Sequence, residues 1–228
     1  MLDPATPDRT LPAHTNLMRR TVAPTGTDNV PDLLLLERAR AHEPAAIEAL
    51  VRRYARRLFR VAHSVVADGA RAEAIVQETY LGAFSDLTRY EATGKFAVWL
   101  TRLTYQQARS QRAPALRPTT AGTAEPTVAP ADGELRPLEA VLGRLPEVFR
   151  TVFVLRVIEG ISGIETAACL GLHETTVRTR LYRAHRRLGA ETEQRMRGSA
   201  GFLDLPAAHL EQLVARVLAQ LPRRTATP

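Results

Sequence analysis

Residues 162–188, SGIETAACLGLHETTVRTRLYRAHRRL, leave little room for anything but two short helices meeting at a tight turn. Ser162 is followed three residues later by Glu165, the spacing at which a serine caps a helix N-terminus and a glutamate reaches back to it. Ile164, Ala167, Ala168 and Leu170 then make a short apolar face. Gly171 falls where a helix needs a residue tolerant of positive φ in order to stop, and Leu172 follows as a plug for the core. A second helix begins near His173 or Glu174. In it Val177, Leu181, Ala184 and Leu188 recur at i, i+4, i+7 and i+11, one narrow stripe at about 100° per residue. Burial stabilises such a stripe by roughly 1.5–3 kcal/mol per large aliphatic side chain, so this side is expected to be docked.

Arg178, Thr179, Tyr182, Arg183 and Arg186 point away from that stripe. Two readings are open. The arginines are a solvated face of an ordinary helical hairpin, or they reach for phosphates and bases. Helix, glycine turn and basic helix in this order is the pattern of a helix-turn-helix whose second helix enters the major groove. In that geometry the N-terminal residues meet base edges, which nominates Thr175, Thr176 and Arg178, with Arg178 placed for bidentate contact to guanine. Thr179, Tyr182 and Arg183 share the exposed side, while Arg186 and Arg187 lie further out, toward phosphate. A formal net charge of +7 over 228 residues agrees with a polyanionic partner.

The rest of the chain divides by composition. Residues 1–31 are rich in Pro, Thr and Asp without helical period and read as a disordered extension, with Met18 as an alternative start. From Asp32 the pattern becomes helical: a short helix to Arg40, and a long one from Pro44 to about Ala67 with Ile47, Leu50, Val51, Tyr54, Leu58, Val61 and Val65 on one face. The ADGA turn (67–70) leads to a helix over about 71–87, with Ile75, Thr79, Phe84 and Leu87 among its buried candidates. A polar loop (88–95) and a helix from Phe96 to about Gln111 complete a first domain, 32–112. Residues 113–137, with prolines at 114, 118, 126, 130 and 137, read as a flexible linker. A second helical domain, 138–189, ends in the helix-turn-helix. The extension 190–228 holds an amphipathic helix in which Leu210, Leu213, Val214, Val217, Leu218 and Leu221 line up, started by Asp204 and Pro206. It packs back on one of the domains or binds a regulator; packing is favoured, because a bare leucine stripe seldom stays exposed. The expected fold is therefore all-α: two small helical domains joined by a flexible linker, the second a helix-turn-helix domain, plus the C-terminal helix.

Enzyme classes find no support. The six histidines are scattered, the acidic residues form no metal-ligating pattern and no glycine-rich phosphate loop appears. Cys169 is the sole cysteine, in the middle of the hairpin's first helix, where a small buried side chain is expected. No cofactor is expected. No apolar run approaches the roughly 18 residues of a membrane span, and the N-terminus lacks a signal-peptide core, so a soluble, cytoplasmic protein is expected.

Several strings together resemble the extracytoplasmic-function sigma factors, the two-domain promoter-specificity subunits of bacterial RNA polymerase. AAIEALVRRYARRLFRVAHSVV (45–66) resembles the opening helices of sigma domain two, AEAIVQETYLGAF (72–84) its core-binding helix and KFAVWLTRL (95–103) the helix after the promoter-melting loop. LPEVFRTVFVLRVIEGISGIETAACLGLHETTVRTRLYRAHRRLG (145–189) resembles sigma domain four nearly throughout. There are departures: Ala74 stands where the family usually has an acidic residue, and Thr104 to Ala108 replace its usual Arg-Asn pair and later Asp. GIETAACL also lacks the usual Tyr-Glu-Glu-Ile-Ala order.

The resemblance implies three tasks. On residue types alone Gln77, Glu78 and Tyr80 suit either a partner surface or a solvated face; the resemblance assigns them to core polymerase. The 88–95 loop, through Arg89, Tyr90, Thr93 and Lys95, is expected to capture the unpaired −10 strand, with stacking worth about 1–3 kcal/mol per base. Trp99, in an F-x-x-W-L pattern, is expected in the core. The 173–188 helix is expected to read the −35 element. Core RNA polymerase and promoter DNA are the implied partners, with an anti-sigma factor a further one. The alternative is an autonomous helix-turn-helix regulator that binds duplex DNA without polymerase.

Overall fold

The structure, a computed structural model, describes residues 30–90, 95–111, 138–190, 192 and 203–221. The expected N-terminal extension up to residue 29, the loop tip 91–94 and the 113–137 linker lie outside the described residues. Among the described residues every regular element is helical.

Helix α2 (Pro44–Val66) is the axis of the first unit. Pro44 suits its first turn, where a missing N–H costs nothing, and Ala67, at φ 54°, closes it in the left-handed region. All seven residues expected on its apolar face are buried. Around it pack α1 (Asp32–Arg40), α3 (Gly69–Ser85) and α4 (Phe96–Ser110). Asp68 starts α3 by accepting from the Arg71 N–H at 2.7 Å. The expected Ile75, Thr79, Phe84 and Leu87 are all buried.

The second unit comprises α5 (Leu138–Gly143), α6 (Glu147–Phe153), α7 (Gly163–Leu170) and α8 (Glu174–Leu188). A π-helical turn, Val154–Ile158, continues α6 without a break. The capping box forms as the spacing predicts: the Glu165 N–H donates to Ser162 Oγ at 3.2 Å, and the Ser162 N–H donates to the Glu165 carboxylate at 3.2 Å. Gly171 takes φ +64°. A Cβ there would meet nothing within 4 Å, so its cost is backbone strain alone. Gly171→Ala is expected to destabilise the protein by about 1 kcal/mol, read as a shift in the denaturant midpoint. On α8, Val177, Ala184 and Leu188 are buried and Leu181 is half-buried, which is the expected stripe.

The two units are docked on each other, with α7 against α4 and α6 against α2. Val152, Leu155, Ile161, Ala167, Leu170 and Val177 join the core of the first unit, while Leu142, Leu145, Phe153, Val154, Ala184, Leu188 and Leu203 form a smaller core of their own. Polar contacts span the joint. Arg150 donates from Nε across it to the Ser64 carbonyl at 2.6 Å, and from Nη1 to the Gly143 carbonyl of its own unit at 3.0 Å. Glu159, whose side chain is 6 % exposed, accepts from Arg57 Nε at 3.0 Å and Arg60 Nη1 at 2.8 Å. Cys169 is buried at this joint, its Sγ 3.6 Å from the Val98 carbonyl, and burial pushes its thiol up to about 12. The side chain is buried, as expected, and the raised thiol leaves it unreactive.

The C-terminal helix α9 (Ala207–Gln220) packs along α2 and α3. Leu210, Leu213, Val214, Val217 and Leu221 are buried and Leu218 is half-buried. Of the two readings of the leucine stripe, docking on the chain's own domain is the one observed.

Candidate nucleic-acid interface

The outer face of α8 is open. Thr175, Arg178, Thr179, Tyr182, Arg183, Arg186 and Arg187 are exposed, and Thr176 is half-buried where the helix enters the hairpin. Tyr182 is 62 % exposed, high for an aromatic side chain that usually hides its ring. The Thr179 hydroxyl donates back to the Thr175 carbonyl at 2.9 Å, which leaves its lone pairs as acceptors. The Arg187 guanidinium lies 5.5 Å from the Phe149 ring centre. Arg187 is thereby held against α6, a geometry suited to a phosphate anchor more than to a deep base reader. The capping box and the core stripe together hold this face rigidly outward.

The second candidate region is rearranged. Arg89 and Lys95 are exposed, and Thr93 lies outside the described residues. Tyr90 is only 4 % exposed, packed edge-on to Phe96 at 5.3 Å and against Trp99 at 5.4 Å. The expectation that Tyr90 offers a stacking face to a base is therefore corrected: its ring completes an aromatic cluster over α4. Trp99 is half-buried in the same cluster, 5.6 Å from Phe96, as the F-x-x-W-L spacing predicts.

Lys95 pairs with Glu165 across the joint at 2.8 Å. The Lys95 ammonium, and after it the Ser162 hydroxyl and N–H, hold the Glu165 carboxyl at about 2. A depressed carboxyl stabilises the fold above its unfolded value of 4.5, and that stabilisation is lost as pH falls toward 2. Glu165→Gln is thus expected to be less stable than the parent at neutral pH. The two denaturation midpoints should converge between pH 4.5 and 2; a gap unchanged across that window would remove the pairing from the account.

On α3, Gln77 is half-buried and Glu78 is exposed, accepting from Gln107 at 2.7 Å and also from Gln111. Tyr80 is fully buried and its hydroxyl donates to the Val51 carbonyl at 3.2 Å. The assignment of Tyr80 to a partner surface is corrected: it is a core residue stacked on Phe84. The joint residues Arg150 and Glu159 have no counterpart among the sequence-based candidates. They sit in an apolar run, FRTVFVLRVIEG, and that placement is the only hint of burial the sequence offers.

Residues 50–113 match the family model Sigma-70 region 2, and residues 135–188 match Sigma-70, region 4. The RNA polymerase sigma factor CarQ of Myxococcus xanthus is 32% identical over 161 residues, 67% of this chain and 92% of that protein. The chain belongs to the sigma-70 family. Among its relatives are the ECF RNA polymerase sigma factors SigW of Bacillus subtilis, 29% identical over 59% of this chain and 82% of its own, and SigE of Mycolicibacterium smegmatis, 32% identical over 62% of this chain. The match spans only 59% of SigE's own length. Among solved structures, CnrH in complex with the cytosolic domain of CnrY is similar with a TM-score of 0.54 and 28% identity, over 72% of this chain and 97% of that one.

In sigma-70 terms, most of α2 together with α3 and α4 falls in region 2 and α5 to α8 in region 4, with the open arginine face at its end. Helix α9 lies beyond both matched regions. Among the described residues no group of His, Cys, Asp or Glu is arranged to hold a metal ion, and no helix is long and apolar enough to cross a membrane.

Proposed function

We infer that this chain is a sigma factor that joins core RNA polymerase in the cytoplasm and directs promoter-specific initiation without catalysis of its own. The observation that carries the reading is the presence in one chain of both sigma-70 regions, with the basic face of α8 open to duplex DNA. The first domain, 32–112, meets polymerase through Gln77 and Glu78 and takes the −10 strand through Arg89, Thr93 and Lys95. The second, 138–189, reads the −35 element: Thr175, Thr176, Arg178, Thr179, Tyr182 and Arg183 meet bases, and Arg186 and Arg187 meet phosphates.

The closed joint adds a condition. Lys95 pairs with Glu165 when the units are docked, so a strand phosphate competes with that carboxylate for its exposed ammonium. CnrH is solved with a second protein, the cytosolic domain of CnrY, bound to it; by analogy the proposal includes a protein partner, an anti-sigma factor, that withholds this chain from polymerase.

Selection from a random duplex library tests the reading. Sequences retained by protein and core polymerase together, sharing a two-part motif, are expected. A palindromic motif retained by the protein alone would favour an autonomous helix-turn-helix regulator instead.

A further inference from the structure

Helix α9 fills a groove between α2 and α3. Its apolar side, Leu210, Leu213, Val214, Val217 and Leu221, is buried on α2 and α3. Polar and charged contacts fix its register. Glu211 accepts from both Arg52 Nη atoms, at 2.6 and 2.7 Å, and His209 Nδ1 lies 2.5 Å from the Glu73 carboxylate. Asp204, just before the helix, sits 3.1 Å from Arg56 and 3.6 Å from Arg60.

These contacts give the direction. From residue 204 to residue 211 the chain passes from Arg60 to Arg52, so α9 runs antiparallel to α2. It therefore runs parallel to α3, which follows α2 after a two-residue turn. With His209 opposite Glu73, a common rise of about 1.5 Å per residue brings Leu213 level with Gln77 and Val217 level with Leu81. Gln77 lies one turn from Glu73 on the same side of α3. This is a helix-in-groove contact, with apolar anchors at i, i+3, i+4 and i+7 and acidic groups meeting arginines at the rim.

We propose that α9 is an autoinhibitory plug: in the free chain it occupies the α2–α3 groove beside Gln77, on the side where the sigma-factor reading places core RNA polymerase, and it must leave before polymerase binds. The proposal rests on the sigma-factor reading, since it places the polymerase contact beside Gln77. Arg52, Arg56 and Arg60 present one row at i, i+4 and i+8, and in the free chain Glu211 and Asp204 meet it. A chain that is competent only when α9 is released binds its partner more weakly by the fraction released: a tenfold preference for the docked form lowers apparent affinity about tenfold.

The test uses full-length chains and bacterial core RNA polymerase, with affinity read by fluorescence anisotropy of the labelled chain. Glu73→Cys and His209→Cys, a pair already in contact between α3 and α9, are joined in one chain by a short bismaleimide; Cys169, buried at the joint, is replaced by alanine beforehand. The linked chain is expected to lose core binding, and the same chain left unlinked to keep it. In a second chain, Leu213→Asp with Val217→Asp, which alter only α9, should tighten core binding about tenfold. Glu211→Arg, which faces Arg52 with a like charge, should tighten it about threefold. Equal affinity of linked and unlinked chains would overturn the proposal and leave the sigma reading intact. Absence of core binding by every chain, the parent and the α9 variants included, would overturn the sigma reading itself.

Discussion

Glu159→Ala is expected to lower stability by about 3 kcal/mol, because it removes the carboxylate that two partly buried guanidiniums share at the joint between the units. The Glu159 side chain is almost completely enclosed, so water cannot take its place without opening the contact between α2 and the turn that follows α6. Glu159→Gln keeps an acceptor but loses the charge and should cost less. Denaturant unfolding followed by tryptophan fluorescence, which reports Trp99 in the first unit, and by circular dichroism, which reports both, checks this. In the parent the two signals should coincide, as the shared apolar cluster requires. In Glu159→Ala they should move to lower denaturant and separate. A variant within about 0.5 kcal/mol of the parent would show that the pair does not hold the joint.

The second large effect is on promoter choice. Arg178→Ala should cost about 1–3 kcal/mol at one base pair of the −35 element, roughly 5- to 150-fold in affinity, while leaving affinity for other sequences nearly unchanged. Arg187→Ala should weaken binding to every sequence alike and lower the salt slope by about 1. The Phe149 ring beneath its guanidinium supports that division, since it holds Arg187 back along α6. Competition binding of the polymerase complex against single-base variants, at several salt concentrations, separates the two. Equal, sequence-independent losses would dissolve the distinction between readers and anchors.

The parts of this fold that are legible in the sequence are those set by local chemistry. The Ser162–Glu165 spacing and Gly171 dictate the hairpin before any contact is known, and the apolar period of α2 identifies its buried face residue by residue. The stripe on α9 likewise tells that the helix is docked. It does not tell on what, because any apolar groove of the right width satisfies it. The joint is opaque for the same reason at longer range: Arg57 and Arg60 are 102 and 99 residues from Glu159, and no local pattern links them.

Of the candidate site, the α8 face is legible because its core side is so sharply defined that the remainder must face outward. Two tyrosines mislead. Tyr80 falls at i+4 from Val76 and four residues before Phe84, a spacing that already places it on the apolar face of α3. Tyr90 has no such signal, since an aromatic beside a loop looks the same whether it stacks on a base or on Phe96 and Trp99. Only the packing of α4 beneath it decides.

The most direct measurement is run-off transcription from a pool of random-sequence templates, with this protein and bacterial core RNA polymerase together and with each alone. Transcripts that require both, starting at a fixed distance from a shared two-part motif, are the predicted result. No transcript from the mixture, under conditions where the protein by itself holds a palindromic duplex tightly, would contradict the assignment as a promoter-specificity subunit.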